Sequence, residues 1–194
     1  MMIRTAFTVG LLALAACNQP AAKGAAPAGA PAVVTPTAAP APAAAAPVLT
    51  TAGLGPMRIG MTDAEARAAV GAANIEADTG TEISDSCTEI KLRGDYPGVY
   101  LMINDGRLSR ITLSEGAKIK TDKGVGVGAR PAEVMAAYPN AQAEPHHYEN
   151  PPAQYLTVWT KPEKEGVRFE VNYAGIVADI HAGDETIQYV EGCA

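Results

Sequence analysis

The chain has 194 residues and a formal net charge of −6, but its first 48 residues contain no acidic residue and only two basic ones, Arg4 and Lys23. Residues 49–194 therefore hold all 21 acidic and 13 of the 15 basic residues, and they are numerous enough for one domain whose core needs no metal. Because binding to nucleic acid requires clustered Lys and Arg, this acidic balance excludes nucleic acid as an expected partner.

Residues 1–16 have the layout of a secretory signal peptide. Arg4 gives a positive start, and the apolar run over 6–16 is shorter than the ~20 residues that span a bilayer. The run ends in Leu14-Ala15-Ala16-Cys17, which resembles the lipobox of bacterial lipoproteins. The resemblance implies cleavage before Cys17 and acylation of this residue, which anchors the chain in a membrane. The alternative is an ordinary secreted protein with a spare cysteine.

Residues 17–48 are expected to form the lipidated start and a disordered linker. Residues 18–48 contain 14 Ala, 7 Pro and one charge, a composition that cannot bury enough surface to fold. An extended linker of this kind reaches roughly 90 Å at about 3.1 Å per residue. By the enteric sorting rule, Asn18 after the cysteine favours the outer membrane, with the domain in the periplasm.

The globular domain, residues 49–194, contains an internal repeat with an offset of 68 residues. The segment 58–66 aligns with 126–134, and in the same register 98–104 aligns with 166–172. The alignment predicts two repeats, about 53–116 and 120–190.

Each repeat is expected to begin with a short helix. Thr62 and Glu65 form a capping box, and Pro131 occupies the first position of the second helix. Three alternating apolar segments follow in each repeat, and Asn104-Asp105-Gly106 marks a hairpin turn. The predicted fold class is α+β: two tandem helix-plus-three-strand repeats form an antiparallel sheet with helices on one face. The strands are predicted at 87–92, 99–103, 107–113, 155–160, 167–171 and 176–182.

Two cysteines remain once Cys17 is lipidated. Cys87 and Cys193 form an even pair in an oxidising compartment, which predicts a structural disulfide. Closing a loop of ~100 residues stabilises a fold by about 4–5 kcal/mol in the chain-entropy model. A redox-active role is disfavoured because there is no C-x-x-C spacing and no flanking positive cluster.

The segment 59–66, Ile-Gly-Met-Thr-Asp-Ala-Glu-Ala, resembles the "G-M-T-x-x-E-V" signature of the SmpA/OmlA (BamE-like) lipoproteins of outer-membrane protein assembly. In the second repeat Gly128, Glu133 and Val134 keep the pattern, while Ala129 and Arg130 replace Met and Thr. The tandem arrangement is also similar to beta-lactamase-inhibitory-protein-like domains, which implies a binding sheet face. The signature describes a capped helix and carries no catalytic chemistry.

Few residues indicate catalysis or metal binding. His146, His147 and His181 are candidate metal ligands, but adjacent histidines on a proline-rich loop usually point in different directions, and we expect all three on the surface. No serine lies in a G-x-S-x-G elbow, and the glycine-rich stretch 124–128 lacks the Lys and Ser/Thr of a phosphate loop. We therefore expect no metal, no cofactor and no catalytic residue.

A better candidate site is the sheet face opposite the helices. If Val99, Leu101, Val167 and Phe169 face the helices, alternation directs their neighbours to the other face, where aromatics and Arg dominate interface energies. The alternative is that loops cover this face or that the tryptophan completes the core. The hypothetical partner-binding set is Tyr100, Met102, Tyr155, Trp159, Arg168, Glu170 and His181.

Three functions compete. The preferred one is a cell-envelope lipoprotein, anchored to the membrane at Cys17, that acts as a non-catalytic protein-binding module in outer-membrane assembly or maintenance. The second is an inhibitor-like lipoprotein that binds an extracytoplasmic hydrolase, which a loop projecting between Asn140 and Gln154 would favour. The third is a metal-binding or weakly enzymatic periplasmic protein, which histidines and carboxylates converging in a pocket would favour.

Overall fold

Two antiparallel sheets and two short α-helices make up the described part of the fold. The structure, a computed structural model, describes residues 46–77, 82–84, 86–162 and 164–193. The predicted signal peptide, Cys17 and nearly all of the predicted linker therefore lie outside the described residues. Among the helices that are described, none has the length and apolar character needed to cross a membrane.

The described chain begins with a three-stranded sheet of two-residue strands, β1 (Leu49–Thr50), β2 (Gly53–Leu54) and β3 (Met57–Arg58). Its short strands contribute side chains to the same core as the larger sheet. Leu49, Leu54 and Met57 are all fully buried there.

Each helix begins where its capping residues predict. Helix α1 (Asp63–Val70) follows Thr62, whose hydroxyl accepts the Glu65 N–H at 3.3 Å, while the Glu65 carboxylate accepts the Thr62 N–H at 2.9 Å. The capping box is thus confirmed. Helix α2 (Pro131–Ala137) starts at Pro131, as expected.

Eight strands form the large sheet, in the order β4-β5-β6-β7-β11-β10-β9-β8. The predicted hairpin turn joins β6 to β7, and Asp105 and Gly106 both have the positive φ angles, 49° and 72°, that a type I′ turn requires. The strands are β4 (Glu82–Ser84), β5 (Cys87–Lys91), β6 (Val99–Asn104), β7 (Arg107–Leu113), β8 (Gln142–Pro145), β9 (Gln154–Lys161), β10 (Glu165–Val171) and β11 (Val177–Gly183).

The predicted fold class is wrong. The described residues do not form two tandem helix-plus-three-strand repeats with helices on one face: strands dominate, each half supplies four strands to the large sheet, and a second sheet precedes them. The helices have only 8 and 7 residues, too few to cover an eight-stranded sheet. Short strands such as β1–β4 and β8 carry no alternation long enough to be recognised in the sequence.

The main core lies on one face of the large sheet. Val99, Leu101, Val167 and Phe169 are all buried in it, as the alternation predicts. The small sheet and the loop residues between the two halves pack against them together with the helices.

The other face of the large sheet is covered by the end of the chain. We call residues 184–193 the C-terminal strap; it includes a 3-10 helix, Glu185–Gln188. A disulfide joins Cys193 at its end to Cys87 on β5, with 5.4 Å between the Cα atoms. These two cysteines and Met102 form a second, smaller buried cluster.

Candidate functional site

The covered face of the large sheet carries a layer of polar and charged side chains. Arg110 on β7, Arg168 on β10 and His181 on β11 are exposed by only 4%, 3% and 8%. Burying charged groups costs several kcal/mol unless they are paired. The partners of these three residues therefore indicate what this layer can do.

Glu170 lies between two imidazoles. One carboxylate oxygen is 3.1 Å from Nε2 of His146, and the other is 3.6 Å from Nε2 of His181. Nδ1 of His146 accepts the backbone N–H of Tyr148 at 3.1 Å, and Nδ1 of His181 is 3.0 Å from the Thr112 hydroxyl. Because a backbone N–H can only donate, the His146 ring has its proton on Nε2, facing the carboxylate.

Burial and hydrogen bonding set the ionisation states of Glu170 and His181. Burial alone raises the pKa of Glu170, but the hydrogen bonds from His181 and His146 outweigh it and lower that pKa. Burial lowers the pKa of His181, and the Glu170 carboxylate only partly opposes this effect. At neutral pH Glu170 is therefore ionised and His181 is neutral.

Arg110 fastens the C-terminal strap to the sheet. Its Nη1 donates to the carbonyl oxygens of Thr186 and Tyr189 at 2.9 and 3.0 Å, and its Nη2 pairs with Glu89 at 3.2 Å. Burial lowers the pKa of Arg110, and Glu89 opposes that shift. Both Nη groups of Arg110 therefore hydrogen-bond within the domain.

A cleft of about 290 Å³ remains between the sheet and the strap. Its carboxylates outnumber its cations, because Arg110 is the one Lys or Arg among the described residues that line it and His181 is neutral at neutral pH. We call it the acidic cleft. The carboxylates that line it are Glu89, Glu170, Asp179 and Glu191.

A second cavity, of about 590 Å³, lies over Arg168, and we call it the arginine cavity. The Arg168 guanidinium stacks on the Tyr155 ring, with Cζ 3.8 Å from the ring centroid. Its Nη2 is 3.5 Å from Glu144, and among the described residues its Nε has no hydrogen-bond partner. Burial lowers the pKa of Arg168, and the charge of Glu144 opposes that shift. The cavity is lined by Glu144, Pro145, His146, His147, Arg168 and Gln188.

The seven residues of the hypothetical partner-binding set do not form an exposed surface. Met102, Tyr155, Arg168 and His181 are buried, while Tyr100, Trp159 and Glu170 are half-buried. Trp159 is closely packed: a Cβ placed on Gly166 would lie 2.6 Å from its ring and 3.0 Å from Ile187 of the strap. The strap and the 146–149 loop cover this face, which sequence alternation cannot reveal. Whether these residues bind a partner stays a prediction.

The histidines also differ from expectation. A surface location is wrong for His181 and for the His146 side chain, which is 5% exposed and stacks on Tyr155 at 4.7 Å between ring centroids; only His147 is exposed. Within the described ranges, no three or more His, Cys, Asp or Glu residues are arranged to hold a metal ion.

Sequence reasoning missed Arg110. The signal available was an arginine in the middle of the predicted strand 107–113, between the apolar Leu108 and Ile111.

Comparison of the chain with protein families, with curated proteins and with solved structures finds no match in any of the three. The resemblance of residues 59–66 to the SmpA/OmlA signature therefore stays a prediction from the motif.

Proposed function

We propose that the chain is a cell-envelope lipoprotein, anchored through Cys17, whose domain is a non-catalytic protein-binding module that acts through the acidic cleft in outer-membrane assembly or maintenance. The observation that carries the proposal is the charge of this cleft. Four carboxylates line it, and the pairing of Glu89 with Arg110 leaves Glu170, Asp179 and Glu191 as its excess negative charge.

The chemistry of the cleft favours a partner segment that carries Lys or Arg. A cationic side chain that enters between Glu170 and Asp179 is attracted by both carboxylates, and this attraction is stronger next to the low-dielectric sheet than in water. Aromatic side chains enriched at interfaces lie beside it: Tyr189 lines the cleft and is 46% exposed, and Tyr148 is 65% exposed and donates to Glu191.

The alternative of a plug-like inhibitor is less well supported, since the 140–154 segment lies against the domain. His146 contacts Glu170, Tyr148 contacts Glu191, and the Glu149 carboxylate accepts the backbone N–H of Tyr173. No free projecting finger is found in this stretch.

A weak hydrolytic activity is the second candidate. Thr112, His181 and Glu170 lie in the order of hydroxyl, imidazole and carboxylate, with the distances of 3.0 and 3.6 Å given above. Turnover of p-nitrophenyl acetate by the protein, lost in Thr112→Val, would support it. Equal turnover by both would exclude Thr112 as a nucleophile.

The binding proposal is tested by calorimetric titration with a short lysine-rich peptide, with a glutamate-rich peptide of equal length as control. We expect only the lysine peptide to bind, with an affinity that falls as salt rises. Asp179→Asn/Glu191→Gln should weaken binding, whereas the matched double variant Asp105→Asn/Glu115→Gln, outside the cleft, should not. Equal weakening by both pairs would mean nonspecific attraction to an acidic protein.

Envelope cross-linking then connects the cleft to a natural partner. The lipidated protein and the Asp179→Asn/Glu191→Gln variant are compared, and the proposal predicts a partner with a basic contact segment that only the wild type captures. A partner retained by the variant would place the interface elsewhere.

A further inference from the structure

The arginine cavity contains a buried positive charge that the described residues compensate poorly. The Arg168 side chain is 4% exposed, yet its Nε has no hydrogen-bond partner within the described part of the chain. An unsatisfied N–H of a buried charged group costs more than a neutral one, because charge-assisted hydrogen bonds are the strong ones.

Among the described residues, the one carboxylate within ion-pair distance of the Arg168 guanidinium is a poor partner. Glu144 Oε2 lies 3.5 Å from Nη2 of Arg168, whereas a charge-assisted hydrogen bond is usually about 2.7–2.9 Å long. The Glu144 side chain is also 51% exposed. It lies on the edge strand β8, where it can turn into solvent. Its pairing with Arg168 therefore contributes little and is easily replaced.

The orientation of the guanidinium is fixed although its pairing is poor. Tyr155 is buried and supports one face of the Arg168 group, and His146 stacks on the same ring. A preorganised guanidinium loses little entropy when a planar acceptor binds, which is why Arg is used to recognise carboxylates.

We propose that the arginine cavity is a binding site for a carboxylate, which takes the place of Glu144 beside Arg168. The charge balance selects a single negative charge. Once Glu144 is displaced, one guanidinium faces the ligand and the ionised Glu170 still acts on it, so a doubly charged phosphate would meet about twice the repulsion that a carboxylate meets. The site is separate from the acidic cleft and does not rest on the proposed function.

The proposal is tested on the full chain by NMR, following the Nε–Hε signal of Arg168 during titration with sodium acetate against sodium chloride at equal ionic strength. We expect a saturable shift with acetate and a weaker response to inorganic phosphate. Glu144→Gln, which removes the competing carboxylate, should tighten acetate binding by a factor of up to about five, the upper end for an exposed ion pair. Arg168→Gln should abolish binding, whereas Arg130→Gln, at an exposed arginine, should leave it unchanged.

The proposal would be overturned by any of three results. The Nε–Hε signal of Arg168 does not shift with acetate, inorganic phosphate binds more tightly than acetate, or the Arg168→Gln variant still binds acetate. Arg168→Gln removes a buried group and can unfold the domain, so Glu144→Gln serves as a second, independent test. Unchanged or weaker acetate affinity in the Glu144→Gln variant would also exclude the site.

Discussion

Nε2 of His181 lies 3.6 Å from the carboxylate of Glu170, which pairs a buried imidazole with an acid whose pKa is lowered. The pKa of His181 is lowered as well, mainly by burial. The unfolded chain therefore binds protons that the folded chain does not.

The first prediction is a loss of stability in acid. The pKa of His181 is lower in the folded chain than in the unfolded chain. Its contribution to the free energy of unfolding is therefore complete above the unfolded pKa of about 6.5 and is lost as the pH falls below it. Glu170 causes a further loss of this free energy below its unfolded pKa of about 4.3. Urea unfolding should show a free energy that declines from pH 7.5 to 5.5. His181→Gln should flatten this decline, and His147→Gln, at an exposed histidine, should not. An equal slope in both variants would contradict the assignment.

The second prediction concerns Tyr155, whose ring is buried and supports the Arg168 guanidinium. Tyr155→Ala should lower the free energy of unfolding by about 3–5 kcal/mol, as for other buried aromatics, and Tyr155→Phe by about 1 kcal/mol. Denaturant titration measures both. A loss below ~1 kcal/mol in the alanine variant would mean that the ring is not part of the packed layer.

The third prediction concerns the strap. Cys87 and Cys193 are 106 residues apart, so breaking their disulfide releases a long loop in the unfolded chain. Cys87→Ser/Cys193→Ser should be less stable by about 2–5 kcal/mol in thermal or denaturant unfolding. Reducing the wild type should reproduce the loss, and reductant should not affect the variant. If the variant and the wild type unfold alike, the cross-link does not stabilise the domain.

The fourth prediction uses the close packing at Gly166. A Cβ there would lie 2.6 Å from the Trp159 ring and 2.9 Å from the Val158 carbonyl oxygen. Gly166→Ala should therefore destabilise by about 1–3 kcal/mol and shift the emission of Trp159, the single tryptophan. The control is Gly106→Ala, which has a positive φ but open space; it should cost about 1 kcal/mol without changing emission.

The fifth prediction is lipidation at Cys17, made from the sequence alone. Cys17→Ser expressed in a bacterial envelope should lose labelling by radioactive palmitate and move from the membrane to the soluble fraction. Cys193→Ser is the control and should stay labelled. Continued labelling of Cys17→Ser would exclude the lipobox interpretation.

Local signals predicted the elements of this fold well, because they act between residues close in the chain. Thr62 and Glu65 are three residues apart, and the Asp105-Gly106 turn needs only its own backbone angles. Alternation in 99–103 and 167–171 likewise identified which side chains enter the core.

The two-residue strands of the small sheet and the edge strands β4 and β8 were missed for the converse reason. Each is too short to carry a period, and each is defined by backbone hydrogen bonds to an adjacent strand in the chain and not by a side-chain pattern. The predicted fold class failed on these elements.

The sequence by itself therefore determined three of the four large-sheet strands in each half, the helix starts and which side chains share a sheet face, since these follow from backbone geometry and spacing. Only the tertiary structure decided that the strap covers the outer face, that Arg110 fastens it, and that Glu170 meets two histidines from separate segments. Burial and charge pairing depend on which distant segments pack together, and local sequence patterns do not predict that packing.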